Sequence, residues 1–479
     1  MKRMYINGAL VEGEGEAFCV CNPATGEIIE QLRSASTKQA EDALQSAQEA
    51  FKSWSKTSLD ERQEWIQKLK SAYLAQKDDL IELLCVEGGK NRDDATREVV
   101  GSLPVFLDFF LEEAKRVCGI GIPDYAESAG ISHMVIKRPI GVVVGHMAWN
   151  APVGILAEML SPALASGCTC VLKPSTSTPL SALRIGEIAA SIGFPKGVFN
   201  IVSGPSDVIG NYLTSSTIPR LITIVGSTAS GLEVMSKGSS SVKRFSLELG
   251  GNAPAIFMPD IDTDQVCQTV AKRKVSSCGQ FCINFNRMYV HESIHEDFLA
   301  KLKANVESIK VGWGEDMPSH LGPMISTEAR DRVLALVRDS VRMGAELVCG
   351  GYAPDMPGKL KNGAFIMPTI LDKVTDDMPV ARKEIFGPVY AIQTFSEFDD
   401  ALSRANDTDL GLAAYLFTHD SRVIGRFVDG AEAGNVHINF TGMVPHLPHA
   451  GNKQSGIGCV RGRWGLEEYY DLRKVTIKW

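Results

Sequence analysis

The chain is 479 residues long, 44% hydrophobic and 22% charged, with a formal net charge of −8 at pH 7. This is the make-up of a globular chain with a large core, and at about 100 to 200 residues per domain it predicts two or three domains rather than a disordered or fibrous polymer. The acidic balance, with no long block of like charges, excludes the basic footprint of a nucleic-acid binder, so no nucleic-acid partner is expected.

From the N-terminus, Asn7-Gly8 gives a turn signal before an apolar segment long enough for secretion has formed, and no run of about 18 apolar residues follows. A cytoplasmic location without a membrane partner is expected. Eleven cysteines, an odd number spread over the whole chain, argue against a disulfide framework and for reduced, mostly buried thiols. In Cys19-x-Cys21 and Cys168-x-Cys170 the i,i+2 spacing puts both sulfurs of a strand on one face. No cluster of histidines or cysteines completes either pair, so core packing and no metal are expected.

Apolar residues at helical spacing predict amphipathic helices over Ala40 to Trp54 and Glu61 to Leu74, with Asp60 and Glu61 favouring the start of the second. Short apolar runs then alternate with helical intervals: Ile140 to Gly145, Thr169 to Leu172, Val198 to Val202, Leu221 to Val225 and Ala253 to Phe257. Strands covered on both faces and joined by helices are the pattern of right-handed βαβ crossovers, so an α/β fold with a doubly wound nucleotide-binding sheet is predicted. Gly193-Phe194-Pro195-Lys196-Gly197 ends one helix and launches a strand. A second α/β region follows Gly250, with helices at His295 to Val306 and Thr327 to Met343 and strands near Leu347, Pro388 to Gln393 and Asn435 to Asn439. The alternating run Lys474 to Trp479 is a final strand that must find a partner.

Three features carry chemistry. Cys282, in Gly279-Gln280-Phe281-Cys282, lies on a glycine-flanked segment downstream of Glu248. A thiol becomes a nucleophile when a nearby base or its surroundings release the thiolate, and Glu248 is a candidate base; a lone cysteine in such a run is otherwise core packing. Cys278 reads as supporting structure. The turn Val225-Gly226-Ser227-Thr228-Ala229-Ser230-Gly231 follows a strand and opens a helix, so its backbone N–H groups and the Ser227 hydroxyl suit a pyrophosphate, although the spacing is not GxGxxG. Lys173-Pro174-Ser175-Thr176 leaves the carboxyl end of a strand, where open α/β sheets bind ligands. An ordinary loop with a solvated lysine is the alternative there.

Ordered along the chain, Asn22-Pro23-Ala24-Thr25-Gly26-Glu27, Trp149-Asn150, Lys173-Pro174-Ser175, Gly226-Ser227, Glu248-Leu249-Gly250-Gly251, Gly279-Gln280-x-Cys282, Glu384-Ile385-Phe386-Gly387-Pro388-Val389 and Lys453-Gln454-Ser455-Gly456-Ile457-Gly458 resemble the aldehyde dehydrogenase superfamily over nearly the full length. The resemblance implies a subunit in three parts. These are a dinucleotide-binding domain (1–121 and 140–249), a catalytic domain (250–463) and a bridging or oligomerisation segment (122–139 and 464–479) whose C-terminal strand pairs with a partner subunit in a homodimer or homotetramer. It implies that Cys282 attacks an aldehyde, that the Asn150 amide and the Cys282 backbone N–H hold the oxyanion, and that Glu248 activates water to hydrolyse the thioester. NAD or NADP is the implied cofactor: Glu384 on the nicotinamide ribose, Phe386 packed on the cofactor, Lys173 and Ser227 at the adenosine ribose and pyrophosphate, and Trp149, Ser175, Thr176 and Gly226 nearby. Retention of Glu248 favours hydrolysis over acyl transfer to coenzyme A.

Two departures from the family pattern matter. Thr176 stands where NAD-specific members carry a glutamate that repels a 2′-phosphate, so NADP should be accepted. Ala148 replaces the usual proline before Trp149. For the substrate, Pro448-His449-Ala450-Gly451 is similar to the lactaldehyde and glycolaldehyde dehydrogenase branch, implying a small polar or hydroxy aldehyde with His449 as a wall that hydrogen-bonds a hydroxyl. Glu158 departs from that branch and should be solvated, paired with a base or facing a cationic aminoaldehyde. Phe281 should shape the pocket, and Ser276 replaces the arginine of succinate-semialdehyde types. Aminoaldehyde, aromatic aldehyde and semialdehyde substrates remain the alternatives. From other classes come a coenzyme A-acylating dehydrogenase, a catalytically silent structural protein, and a cysteine hydrolase, which would need a histidine for which the sequence offers no local signature.

Overall fold

The computed structural model describes residues 3–124, 130–314 and 320–479. Two large sheets divide the chain. The first has eight strands in the order Ala9–Val11, Met4–Ile6, Phe199–Ile201, Thr169–Lys173, Val142–His146, Pro219–Val225, Arg244–Glu248 and Gly456–Ile457. Its five central strands run parallel, and antiparallel pairs close both sides. Thr169–Lys173 and Val142–His146 are buried at every position, as expected for parallel strands covered on both faces.

The second sheet has seven strands in the order Glu346–Cys349, Thr369–Asp372, Val389–Phe395, Arg287–His291, Pro254–Phe257, Ala413–Phe417 and Asn435–Ile438. The run Ala253 to Phe257, read from sequence as the last strand of the first sheet, therefore belongs here. Its apolar pattern fixes a buried strand but not which sheet buries it. Beyond Glu248 the chain leaves the first sheet through Gly250-Gly251, and Pro254–Phe257 pairs with Arg287–His291 and Ala413–Phe417.

The helices form close to where periodicity puts them. Thr37–Trp54 begins with Ser36 and Gln39 in a reciprocal capping box and buries Ala40, Ala43, Leu44 and Ala47; a cap of this kind is worth about 1 kcal/mol. Thr169 Oγ1 ties its sheet to that helix by donating to the Ala47 carbonyl at 2.8 Å. Leu59–Ala75 starts with Asp60 and Glu61 in its first turn. The Cys168 and Cys170 side chains are fully buried, whereas Cys19 and Cys21 are exposed on the hairpin strand Ala17–Cys21. Core packing holds for the first pair only, because a two-stranded hairpin buries one face at most.

The C-terminal strand is longer than expected. Tyr470–Lys478 pairs antiparallel with Ile131–Pro139 of its own chain, and Ile120–Ile122 completes a three-stranded sheet. Residues 125–129 of the expected bridging segment lie outside the described residues. No helix among the described residues is long and apolar enough to cross a membrane.

The crossing from the first sheet to the second is tight. A Cβ on Gly251 would lie 2.1 Å from the Cys282 carbonyl oxygen, a contact that backbone on both sides leaves no room to relieve. Gly251→Ala should push the Cys282 segment away at a cost of roughly 1 to 3 kcal/mol. Thermal unfolding should show a midpoint about 1 to 3 °C lower, and a variant as stable and active as the parent would contradict this packing.

Candidate active site

The parallel register places the carboxyl ends of four strands in one row, with His146 opposite Lys173 and Ile224, and Val225 opposite Glu248. Above that row opens a cleft of about 500 Å³. Trp149, Asn150, Lys173, Gly226, Ser227, Glu248, Cys282, Glu384 and Phe386 all line it. Ser175 and Thr176 do not; both stand half-buried in the turn that follows Thr169–Lys173.

Cys282 is carried by a strained segment. After the helix Thr263–Val275 the chain folds into a tight turn in which Ser277 and Cys278 have φ of 46° and 55° and Gly279 has 74°. Left-handed conformations of non-glycine residues cost on the order of 1 to 3 kcal/mol each and persist only where surroundings enforce them. Here the Asp94 carboxylate accepts from Ser276 Oγ at 2.9 Å and from the Ser277 N–H at 2.8 Å. Asn284 Nδ2 donates to the Lys274 and Gly279 carbonyls, and the Gln280 side chain bridges Ser277 and Ile325.

The turn delivers Cys282 Sγ to 3.0 Å from Glu248 Oε1, with the thiol donating. Burial, reinforced by the Glu248 charge, pushes the thiol well above its ordinary range. The resting sulfur therefore keeps its proton, and the carboxylate is placed to remove it. Asn150 Nδ2 donates one hydrogen to the Gln280 carbonyl at 3.0 Å, leaving the second free to point elsewhere. Asn150 stands two positions before the helix Pro152–Ser166, whose first N–H groups, Val153 and Gly154, donate to Glu98 Oε1 at 2.9 and 3.1 Å. Lys90 pairs with Glu98 in a buried salt bridge.

Along the cleft, Lys173 is buried with Nζ donating to the Gly204 carbonyl at 3.1 Å, and burial lowers it to about 8. The same burial, with Lys173 alongside, lowers His146 to about 3. Ser227 caps the helix Thr228–Gly238 by accepting from the Ser230 N–H, so one of its lone pairs is already engaged. Glu384 accepts from the Gly251 N–H at 3.0 Å, and burial raises it to about 7. Phe386, at φ 52°, meets Trp149 edge-on with ring centroids 5.5 Å apart.

Three groups expected around the substrate prove to be engaged already. Glu158, buried, is paired with Arg461, whose Nε donates at 2.6 Å and whose second nitrogen also reaches the same oxygen. His449 Nε2 lies 3.4 Å from Glu248 Oε1 and its Nδ1 3.2 Å from Asn435 Oδ1. Phe281 lies between two cations, 5.4 Å from the Arg273 guanidinium and 5.9 Å from Lys90 Nζ. His449, Arg461, His437, Ile283, Phe440 and Leu447 border a second cavity of about 380 Å³. Arg461, Asp94 and His437 carry no sequence signal for this placement. Arg461 is 303 positions from Glu158, and only a position next to a known motif could have drawn attention to it.

A family model described as "Aldehyde dehydrogenase family" matches residues 10–475. The chain is 36% identical to a 3-sulfolactaldehyde dehydrogenase of Pseudomonas putida over 99% of its length and 97% of the relative's. It is 35% identical to an NADP(+) succinate-semialdehyde dehydrogenase of Escherichia coli strain K12, over 99% and 98%. The solved structure of lactaldehyde dehydrogenase from Escherichia coli superposes with a TM-score of 0.95 at 31% identity, covering 100% of this chain and 99% of that one.

The raised Cys282 thiol sets a pH dependence. Alkylation at Cys282 in the protein without cofactor should be slow at pH 7 and keep accelerating beyond pH 9, as read by peptide mass mapping against exposed Cys118. A rate at Cys282 that is flat between pH 6 and 8 and fast would contradict the protonated resting state.

Proposed function

Because the chain belongs to the aldehyde dehydrogenase family, we propose that it oxidises a small polar aldehyde, bearing a hydroxyl or an acid group, to the carboxylic acid with NAD or NADP. The observation that carries the reading is the Cys282 thiol donating to the buried Glu248 carboxylate at the base of a cleft that also presents Asn150.

The residues fit a dinucleotide. The cleft lies at the carboxyl ends of parallel strands, and the N-terminus of the helix Thr228–Gly238 faces into it through Ser227 and Ser230. Trp149, Lys173, Gly226, Ser227, Glu384 and Phe386 would hold it from the cleft lining, with Ser175 and Thr176 on the adjoining turn outside that lining. When bound, the nicotinamide would accept the hydride that an aldehyde carbon must lose.

The chain's own residues do the rest. Glu248 takes the Cys282 proton, and the thiolate adds to the aldehyde carbon. The charge that develops on oxygen falls to the free Asn150 amide hydrogen and the Cys282 backbone N–H; one such donor is typically worth about 3 to 4 kcal/mol of barrier. After oxidation Glu248, its first proton passed to solvent, takes a proton from water, whose hydroxyl adds to the thioester carbon; the acid leaves and that proton returns to the Cys282 sulfur. His449 Nε2 lies 3.4 Å from Glu248 Oε1, and its ring also borders the second cavity, where it would stand beside a substrate hydroxyl.

The pairing of Glu158 with Arg461 supports a neutral or anionic tail over a cationic one, since the acid an aminoaldehyde would seek is already neutralised. The relatives, a 3-sulfolactaldehyde dehydrogenase and a succinate-semialdehyde dehydrogenase, support the same choice. A cytoplasmic homo-oligomer completes the reading. Tyr470–Lys478 hydrogen-bonds Ile131–Pro139 on one side and keeps an outer edge for a partner strand.

Purified protein should reduce the cofactor with glycolaldehyde, lactaldehyde or succinate semialdehyde in the absence of coenzyme A, and Cys282→Ala should abolish it. Turnover that survives Cys282→Ala, or that requires coenzyme A, refutes the mechanism. NADP should support at least about 1% of the NAD rate, a hundredfold being about 2.7 kcal/mol. Lys173 is an ammonium below about pH 8 and a neutral amine above it. The kcat/KM ratio of NADP to NAD should therefore fall as pH rises from 7 to 9, and a constant ratio removes Lys173 from 2′-phosphate recognition.

A further inference from the structure

Among the described residues, Cys282, Glu248 and His449 each offer one ligand atom, and these three atoms lie within 4.8 Å of one another. We propose that they form a binding site for a thiophilic divalent cation, Zn²⁺ foremost, which holds the enzyme reversibly inactive. The inactivation rests on the proposed roles of Cys282 and Glu248; the binding itself does not.

The distances suit such an ion. Zn²⁺ binds sulfur at about 2.3 Å, imidazole nitrogen at about 2.0 to 2.1 Å and carboxylate oxygen at about 2.0 to 2.2 Å, so tetrahedral donors stand roughly 3.4 to 3.6 Å apart. Sγ to Oε1 is 3.0 Å and Nε2 to Oε1 is 3.4 Å. The third pair, sulfur and imidazole, lies within 4.8 Å, so side-chain adjustment around an ion completes three corners of a tetrahedron, with the fourth left for water.

An independent observation concerns His449. Asn435 Nδ2 donates to the Leu412 carbonyl at 2.7 Å and to the Ala450 carbonyl at 3.0 Å, which fixes the amide with Oδ1 towards the imidazole. Oδ1 can only accept, so His449 Nδ1 carries the hydrogen. In the neutral ring Nε2 then turns a lone pair, not a hydrogen, towards a buried carboxylate oxygen. Two acceptors face each other there, a conflict that a cation between them removes. An imidazole whose far nitrogen donates to a fixed carbonyl is also the usual arrangement for a metal ligand.

Both sides are reachable. Cys282 and Glu248 line the cofactor cleft and His449 the second cavity. Binding forms a sulfur–metal bond and releases the Cys282 proton to solvent. It occupies the nucleophile and the base together, so the bound ion blocks attack on the aldehyde.

The test uses the full chain carrying Cys19→Ser and Cys21→Ser, which removes an exposed thiol pair outside the cleft and should leave turnover unchanged. Chelator-treated protein titrated with Co²⁺ should take up one ion per chain, with a near-ultraviolet sulfur-to-cobalt band and the visible bands of a tetrahedral site. Cys282→Ser should abolish the ultraviolet band, and His449→Asn and Glu248→Gln should each weaken binding at least about tenfold. Zn²⁺ should inhibit aldehyde oxidation, a chelator should restore it, and His449→Asn should raise the inhibitory concentration by a similar factor. Absence of stoichiometric binding at millimolar Co²⁺, or binding indifferent to both His449→Asn and Glu248→Gln, overturns the site and shows that a proton alone occupies the gap. If one variant fails to fold, the other decides. Metal binding without aldehyde turnover would sink the proposed function and leave the site standing; turnover without metal binding would do the reverse.

Discussion

The arrangement of this molecule depends on keeping one thiol against one carboxylate where two sheets meet. Glu248 ends a strand of the first sheet and is anchored by its pairing opposite Val225, while Cys282 belongs to the segment that feeds the second. Neither group is comfortable there. Desolvation and mutual repulsion both disfavour a thiolate beside a carboxylate, so the pair rests with the proton on sulfur and is discharged only when an electrophile takes up the negative charge.

Holding that pair requires a backbone no free chain would choose. The left-handed Ser277, Cys278 and Gly279 are enforced by Asp94 from a distant helix, by the Asn284 amide and by Gly251 passing against the Cys282 carbonyl. Strain stored at a reactive site and balanced by surrounding hydrogen bonds is a recurrent solution where a side chain must be presented rather than packed.

A second theme is the use of buried acids as helix caps. Glu98 accepts from the first N–H groups of Pro152–Ser166, and Glu87 does the same for Leu180–Ser191 through Leu180 and Ser181 at 2.6 and 2.9 Å. Burial raises Glu87 to about 7, while Lys90 neutralises Glu98. The first of these caps fixes the start of the helix that follows Asn150, so the oxyanion donor is located by a carboxylate that never touches substrate. Glu158 within the same helix is neutralised by Arg461, a residue itself held at φ 72°. The wall beside Cys282 thus presents an ion pair closed on itself instead of a bare charge.

The sequence by itself determined the local layer of this protein. Period-3.6 and buried-run patterns located the helices Thr37–Trp54 and Leu59–Ala75 and the strands around Val142–His146 and Thr169–Lys173, because those patterns are imposed by neighbours a few residues away. Motif resemblance also picked out Cys282, Glu248 and Asn150, which line one cleft. Only the tertiary structure decided which sheet takes Pro254–Phe257, that Cys19 and Cys21 lie in the open, that Arg461 neutralises Glu158, and that His449 lies against Glu248. The physical reason is sequence distance. Partners separated by 201 or 303 positions leave no periodic trace, since their approach is set by how the two sheets pack and not by the residues beside them.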